Sequence, residues 1–189
     1  MSNNRLIRTF VAVELPSAVG NTALSLHSTV EARPKVVKWV KLKNIHLTLK
    51  FIGETPQDLI PDINSALGKA VKSHHDFSLT IKGTGVFPKK ERPRILWLGT
   101  DGEVDHLFEL VKNINRALDP LGFPAEERKF SSHITIGRIR YPQKITPDVT
   151  TFLNSEYEPI PLTVEKVSLF QSDLVPGGPI YSILGVHQL

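Results

Sequence analysis

Alternation of faces, with enrichment in β-branched and aromatic residues, predicts strands over Arg8 to Leu15 and Phe77 to Ile81, and Ile45 to Ile52, Phe130 to Arg138, Leu162 to Gln171 and Ile180 to Val186 also read as strands. Lys35 to Val40 reads as a further short strand. Arg94 to Leu98 is a near-continuous apolar run, as expected of a strand covered on both faces. Between these segments the period lengthens to that of a helix. Ser17, as N-cap, opens one helix to about Ala32, and Pro34 ends that region. A second runs from Pro56 to about Ser73, with Leu59, Ile63, Leu67 and Ala70 on one face. A third runs from Glu103 to Leu121, with Gly122 suited to the position after its end. A short helix is expected around Asp148 to Asn154. Pro176-Gly177-Gly178-Pro179 reads as the turn of a closing hairpin.

Two of the strands carry one design. His46-Leu47-Thr48-Leu49 and His133-Ile134-Thr135-Ile136 both read His, apolar, Thr, apolar. Residues two apart on a strand share a face, so each tetrad turns an imidazole and a hydroxyl one way and two aliphatic groups the other. The tetrads lie 87 positions apart. That shift also lays Phe10 on Trp97 and the helix from Ser17 on the segment from Val104. The recurring order of strand, helix, connector and His strand predicts an internal duplication within one two-lobed domain spanning 1–189. The two tetrads should then face each other across a pseudo-two-fold axis.

Bulk composition narrows the setting. At 189 residues, 40% apolar and 22% charged, the chain suits one globular unit with a sizeable core. The absence of cysteine removes disulfides and thiolate chemistry. No apolar run approaches a membrane span and the start lacks a signal-peptide core, so a cytoplasmic location without membrane attachment is expected. The net charge of +4 suits an anionic partner, but placement says more than the total. Lys89, Lys90, Arg92 and Arg94 crowd one loop, and Lys129, Arg138 and Arg140 flank the second tetrad.

Two imidazoles facing each other form the usual pair for concerted proton transfer: one takes a proton from a nucleophile while the other gives one to a leaving group. The Thr hydroxyls between them suit the oxygens of an anionic centre. In-line displacement at phosphorus needs entering and leaving groups on opposite sides, a symmetry that two opposed His supply. Two His lack the third ligand of a zinc site and Thr is a poor ligand, so no metal is expected there. His74-His75-Asp76 is more ligand-like in spacing, but reads as a solvated turn. His27, His106 and His187 are expected at the surface. Parity turns Lys50 to the His46 face. It turns Arg138 away from the His133 face unless Gly137 hosts a bulge that re-aims it.

The paired motifs, as HLTLKFIGE and SSHITIGRIR, resemble those of the 2H phosphoesterase superfamily. Within it the chain is similar to RNA 2′,3′-cyclic phosphodiesterases, also called 2′-5′ RNA ligases. RTFVAVELP, GVFPKKERPRILWLG and LFQSDLVPGGPIYSIL extend the likeness over nearly the whole chain. The resemblance implies an α+β fold with two lobes, antiparallel sheets lining a central cleft and helices outside. It implies cofactor-free, metal-independent hydrolysis of a terminal 2′,3′-cyclic phosphate on RNA to a 2′-phosphate, with reversible 2′-5′ ligation in some members. Carried over, His46 is the general acid and His133 the base, Thr48 and Thr135 hold the phosphate, and Arg138 matches the family's Arg after the second motif. The family often has Pro before the second His, where this chain has Ser132. A monomer acting on RNA ends, tRNA fragments among them, is expected. Lys50, Lys89, Lys90, Arg92 and Arg94 are candidate RNA contacts, and Phe87, Phe130 or Tyr141 candidate base-stacking rings. Two alternatives stay open: a related phosphoesterase acting on 2′-5′ oligoadenylate or a cyclic phosphate of ADP-ribose, and a non-catalytic module that binds RNA ends.

Overall fold

The computed structural model describes residues 5–30, 35–140 and 145–189. Among the described residues, nine strands form two antiparallel sheets. The strands are β1 (Leu6–Glu14), β2 (Val37–Trp39), β3 (His46–Pro56), β4 (Phe77–Phe87), β5 (Ile95–Gly102), β6 (Ile134–Ile139), β7 (Ile160–Val164), β8 (Lys166–Val175) and β9 (Gly178–Gln188). One sheet has the order β3-β1-β8-β9, the other β2-β6-β5-β4-β7. The helices are α1 (Ser17–Ser25), α2 (Ile60–Val71), α3 (Val104–Leu118) and the single turn α4 (Thr150–Leu153).

Each sheet contains an antiparallel pair drawn from one half of the chain: β1 pairs with β3, and β5 with β6. Helices pack behind the sheets. Leu107, Leu110, Val111, Ile114 and Leu118 form the buried stripe of α3, and Ile63, Leu67 and Val71 that of α2. One contiguous apolar core takes Leu47 and Leu49 from one tetrad and Ile134 and Ile136 from the other. Burial of the aliphatic half of each tetrad leaves its His and Thr to the opposite face.

Several boundaries differ from the sequence reading. Ser17 is the first residue of α1 rather than its cap, which is Pro16. That helix is short and continues as a 3-10 turn over Leu26–Thr29. Pro34 and Tyr141 lie outside the described residues. β3 runs past Gly53, which holds φ +88°, as far as Pro56, so α2 begins only at Ile60. The stretch read as one strand over 162–171 is two. β7 pairs with β4 in one sheet and β8 with β1 in the other, with only Glu165 between them. Gly122 ends the α3 region with φ +90°, as expected.

Candidate active site

The facing of each side chain follows from strand register. On β1, Phe10, Ala12 and Glu14 alternate regularly onto one face. Their cross-strand partners on β3 are Phe51, Thr48 and His46. Directly opposed residues of an antiparallel pair project to the same side. His46, Thr48 and Phe51 therefore share a face. Val11 opposes Lys50 on the other face, and Leu49 is the extra residue of a β-bulge.

The second motif repeats this arrangement. On β5, Trp97 opposes Thr135, Leu96 opposes Gly137 and Ile95 opposes Arg138, so Ile136 is the extra residue. The bulge changes parity, so Thr135 and Arg138 share a face while Gly137 turns to the core. Burial follows the same phase: Ile134, Ile136 and Ile139 are buried and Arg138 is exposed. Gly137 is required for packing, because a Cβ there would stand 2.9 Å from the Trp39 ring and 3.1 Å from Leu96. The bulge that Gly137 suggested thus brings Arg138 to the His133 face.

The same device corrects the expectation for Lys50. The bulge at Leu49 turns Lys50 away from His46 and into the space before α3. There it is 5% exposed, and its Nζ donates to Asn115 Oδ1 at 2.6 Å and to the Pro124 carbonyl at 2.7 Å. Burial lowers its pKa, and Glu126 and Asp119 partly offset that effect. Lys50 is a buried structural cation and no RNA contact. Its place on the cleft face belongs to Phe51, which is 57% exposed and is the positional counterpart of Arg138.

Both imidazoles are held alike. His46 Nδ1 lies 2.8 Å from the Asn44 carbonyl and His133 Nδ1 lies 2.8 Å from the Ser131 carbonyl, in each case two residues back. A carbonyl only accepts, so Nδ1 carries the proton in both rings and Nε2 is left for chemistry. Asn44 is itself buried, and its Nδ2 donates to the Pro179 carbonyl at 2.8 Å, pinning the turn before His46 to the start of β9. Ser132 Oγ lies 2.6 Å from Thr100 Oγ1, fixing the approach to β6 where the family often has Pro.

The environments of the two rings differ. His46 rests on Phe10, with centroids 4.8 Å apart, and meets Tyr181 edge-on at 5.4 Å. Phe10 stacks on Phe170 at 5.2 Å in a small apolar cluster separate from the main core. Burial against these rings lowers the pKa of His46. The hydrogen bond to the Asn44 carbonyl works the other way, and the charge of Arg138 lowers it further. Arg138 acts also on Tyr181, whose pKa is raised chiefly by burial. The Arg after the second motif thus stands near the His of the first, and β3 and β6 approach each other across the cleft. His133 meets Phe87 edge-on at 5.0 Å.

Among the remaining sequence candidates, the loop 88–94 begins directly after Phe87, at the His133 end, with Lys89, Lys90 and Arg92 exposed and Arg94 half-buried. Phe130 meets Phe108 of α3 edge-on at 5.7 Å. His106 is exposed, but His27 stacks on Trp39 at 3.8 Å and His187 bonds Asn64 at 3.0 Å. Among the described residues, no three His or carboxylate side chains converge as metal ligands, and His74 bonds Asn113 instead.

Sequence reasoning missed Phe51, Tyr181 and Lys38. Lys38 on β2 directly opposes Arg138, placing two cations side by side on the cleft face. Phe51 had a signal, since it stands five positions after His46 as Arg138 does after His133. Tyr181 and Lys38 come from strands that only tertiary pairing brings to the site.

A sequence model of the family described as LigT like Phosphoesterase matches residues 13–97 and again 98–181. A Thermotoga maritima protein named RNA 2′,3′-cyclic phosphodiesterase is 35% identical, over 94% of this chain and 93% of its own. One of the same name from Methanothermobacter thermautotrophicus is 30% identical, over 97% and 99%. The crystal structure of TT0787 from Thermus thermophilus superposes with a TM-score of 0.80 at 27% identity, covering 97% of this chain and 98% of that one. E. coli LigT complexed with 3′-AMP shares the fold, with a TM-score of 0.78 at 22% identity over 98% and 99% of the two chains.

Proposed function

The chain belongs to the LigT-like phosphoesterases, and we propose that it hydrolyses the terminal 2′,3′-cyclic phosphate of RNA to a 2′-phosphate by two-histidine acid–base catalysis, without a metal. The observation that carries this reading is the matched pair of imidazoles, each with Nδ1 tied to a main-chain carbonyl and Nε2 left for chemistry. The names of the relatives supply the substrate class.

In this mechanism water attacks phosphorus from the His133 side. His133 Nε2 takes its proton as the bond to the 3′-oxygen breaks. Protonated His46 gives its Nε2 proton to that oxygen, leaving a 2′-phosphomonoester. Thr48 and Thr135 donate to the non-bridging oxygens, and Arg138, with Lys38 beside it, neutralises their charge. Two cations opposed across neighbouring strands repel each other until an anion lies between them. The loop with Lys89, Lys90, Arg92 and Arg94 follows the RNA backbone beyond the reacting phosphate. The same displacement with a 5′-hydroxyl attacking in place of water gives a 2′-5′ phosphodiester, which is ligation, and its reverse cleaves that bond. The repeated bulge supports reading the molecule as one two-lobed domain that arose by duplication. We place it in the cytoplasm as a monomer acting on RNA ends such as tRNA fragments.

The test is an oligoribonucleotide ending in a 2′,3′-cyclic phosphate, incubated with the protein and EDTA, with the product phosphate located. Turnover to a 2′-phosphate is expected. His46→Ala and His133→Ala should each lose roughly 10²- to 10⁴-fold in rate. Absence of hydrolysis overturns the activity, inhibition by EDTA overturns the metal-free mechanism, and a 3′-phosphate product overturns the assignment of acid and base.

A further inference from the structure

The two imidazoles rest on different supports. His46 opens β3 and pairs with Glu14 across the ladder, and the Asn44 carbonyl behind it belongs to a residue whose side chain is tied to Pro179. His133 stands one residue before β6, and the last ladder pair on that side is Leu98 with Ile134. Continuing the register past that pair sets Gly99 opposite His133 and Thr100 opposite Ser132. Alternation puts Ser132 on the face of the buried Ile134, away from the cleft. There the two hydroxyls meet at 2.6 Å, so a side-chain bond continues the pairing where the ladder has stopped. Thr100 is a firm anchor, because it lies on the middle strand of its sheet and pairs with Ile81 on the other side.

We propose that Ser132 and Thr100 are positioning residues for the general base, acting through the main chain and without touching substrate. The inference rests on the phosphodiesterase reading above and deepens it. Peptide planarity carries the effect. The Ser131 carbonyl and the N and Cα of Ser132 lie in one plane, so holding Ser132 holds the direction of that carbonyl. The carbonyl lies 2.8 Å from His133 Nδ1 and accepts its hydrogen bond. Only the tautomer with the proton on Nδ1 leaves the Nε2 lone pair free to take a proton from water. Without the bond between the hydroxyls the peptide plane is free to turn and the ring loses its acceptor. Part of the population then carries its proton on Nε2, where it cannot act as the base. His46 has its own support in the ladder and in Asn44, so the bridge serves one ring alone.

The test compares Ser132→Ala, Thr100→Val and the double variant with the unmodified protein. Each substitution removes one hydroxyl at a half-buried position and leaves the apolar core as it is. Long-range proton–nitrogen NMR at alkaline pH reads the tautomer of each neutral ring. His133 should hold its proton on Nδ1 in the unmodified protein and move a substantial share to Nε2 in all three variants, while His46 stays unchanged. With an oligoribonucleotide ending in a 2′,3′-cyclic phosphate, kcat should fall roughly tenfold at an unchanged KM. The double variant should lose no more than either single one, because all three lack the same bond. A His133 tautomer unmoved by the substitutions, an equal change at His46, additive losses, or a rise in KM in place of the loss in kcat overturns the proposal. Tautomers are read without turnover, so they decide this point even in a protein that hydrolyses no cyclic phosphate, and an active enzyme with an unmoved tautomer sinks the positioning role alone.

Discussion

The two His strands use one backbone device to opposite ends. Both tetrads end in a bulge, at Leu49 and at Ile136. In both, the residue after the bulge turns inward and the next one turns to the cleft. In β6 the inward residue is Gly137 and the cleft residue Arg138, so one wall carries a cation. In β3 the inward residue is Lys50 and the cleft residue Phe51, so the charge is buried behind the sheet and the other wall carries a ring. A backbone irregularity shared by two strands therefore fixes where side chains point, while the residue types decide what each wall does. His46 works against an apolar cluster with a foreign Arg near it, and His133 stands on the strand that supplies that Arg.

Removing each member of this comparison tests it, and the largest effect is expected at Arg138. Arg138→Ala should lower kcat/KM by roughly 10- to 150-fold, the worth of a charge-assisted hydrogen bond of about 1.5–3 kcal/mol. An activity within about twofold of the unmodified protein would remove Arg138 from the phosphate site. A smaller effect concerns pH. A general acid must be protonated, and the pKa of His46 is lowered in the free protein by burial and by Arg138. The alkaline limb of kcat/KM should therefore fall below about pH 6.5. The negative charge of a bound phosphate works against this lowering, so the limb for kcat should lie at higher pH, and coincident limbs would contradict the assignment. The smallest effect on activity belongs to Lys50. Lys50→Met leaves Asn115 and the Pro124 carbonyl without their donor and should cost about 1–3 kcal/mol of stability per unsatisfied group. Denaturant unfolding would read that loss, while kcat/KM should change less than about twofold. A large loss of activity without a loss of stability would return Lys50 to the cleft.

The two tetrads were legible because each is a local pattern, and local patterns survive without tertiary information. The aliphatic halves of the tetrads, the α3 stripe and the cap at Gly122 are of the same kind. What strand parity mistook is the bulge. One extra residue exchanges the two faces of everything that follows it. Gly137 marks its bulge, because only a residue without a Cβ fits beneath Trp39 and Leu96. Leu49-Lys50 carries no such mark, and parity alone places Lys50 on the wrong face. The division of 162–171 left a faint trace. Leu162 and Val164 are buried at even positions and Val167 and Leu169 at odd ones, a change of phase at Glu165 where the chain leaves one sheet for the other. Tyr181 and Lys38 left none, because long-range pairing alone carries them to the cleft.

That crossing at Glu165 has a mechanical consequence. Val164 belongs to one sheet and Lys166 to the other, and a second stitch lies between Val40, whose N–H bonds the Ile136 carbonyl of β6, and His46, where β3 begins. Six residues at about 3.5 Å each cap that second span at roughly 20 Å. A clamshell needs a slack hinge, and this molecule is sewn at two seams over a common core. These short connections limit how far the two sheets can part.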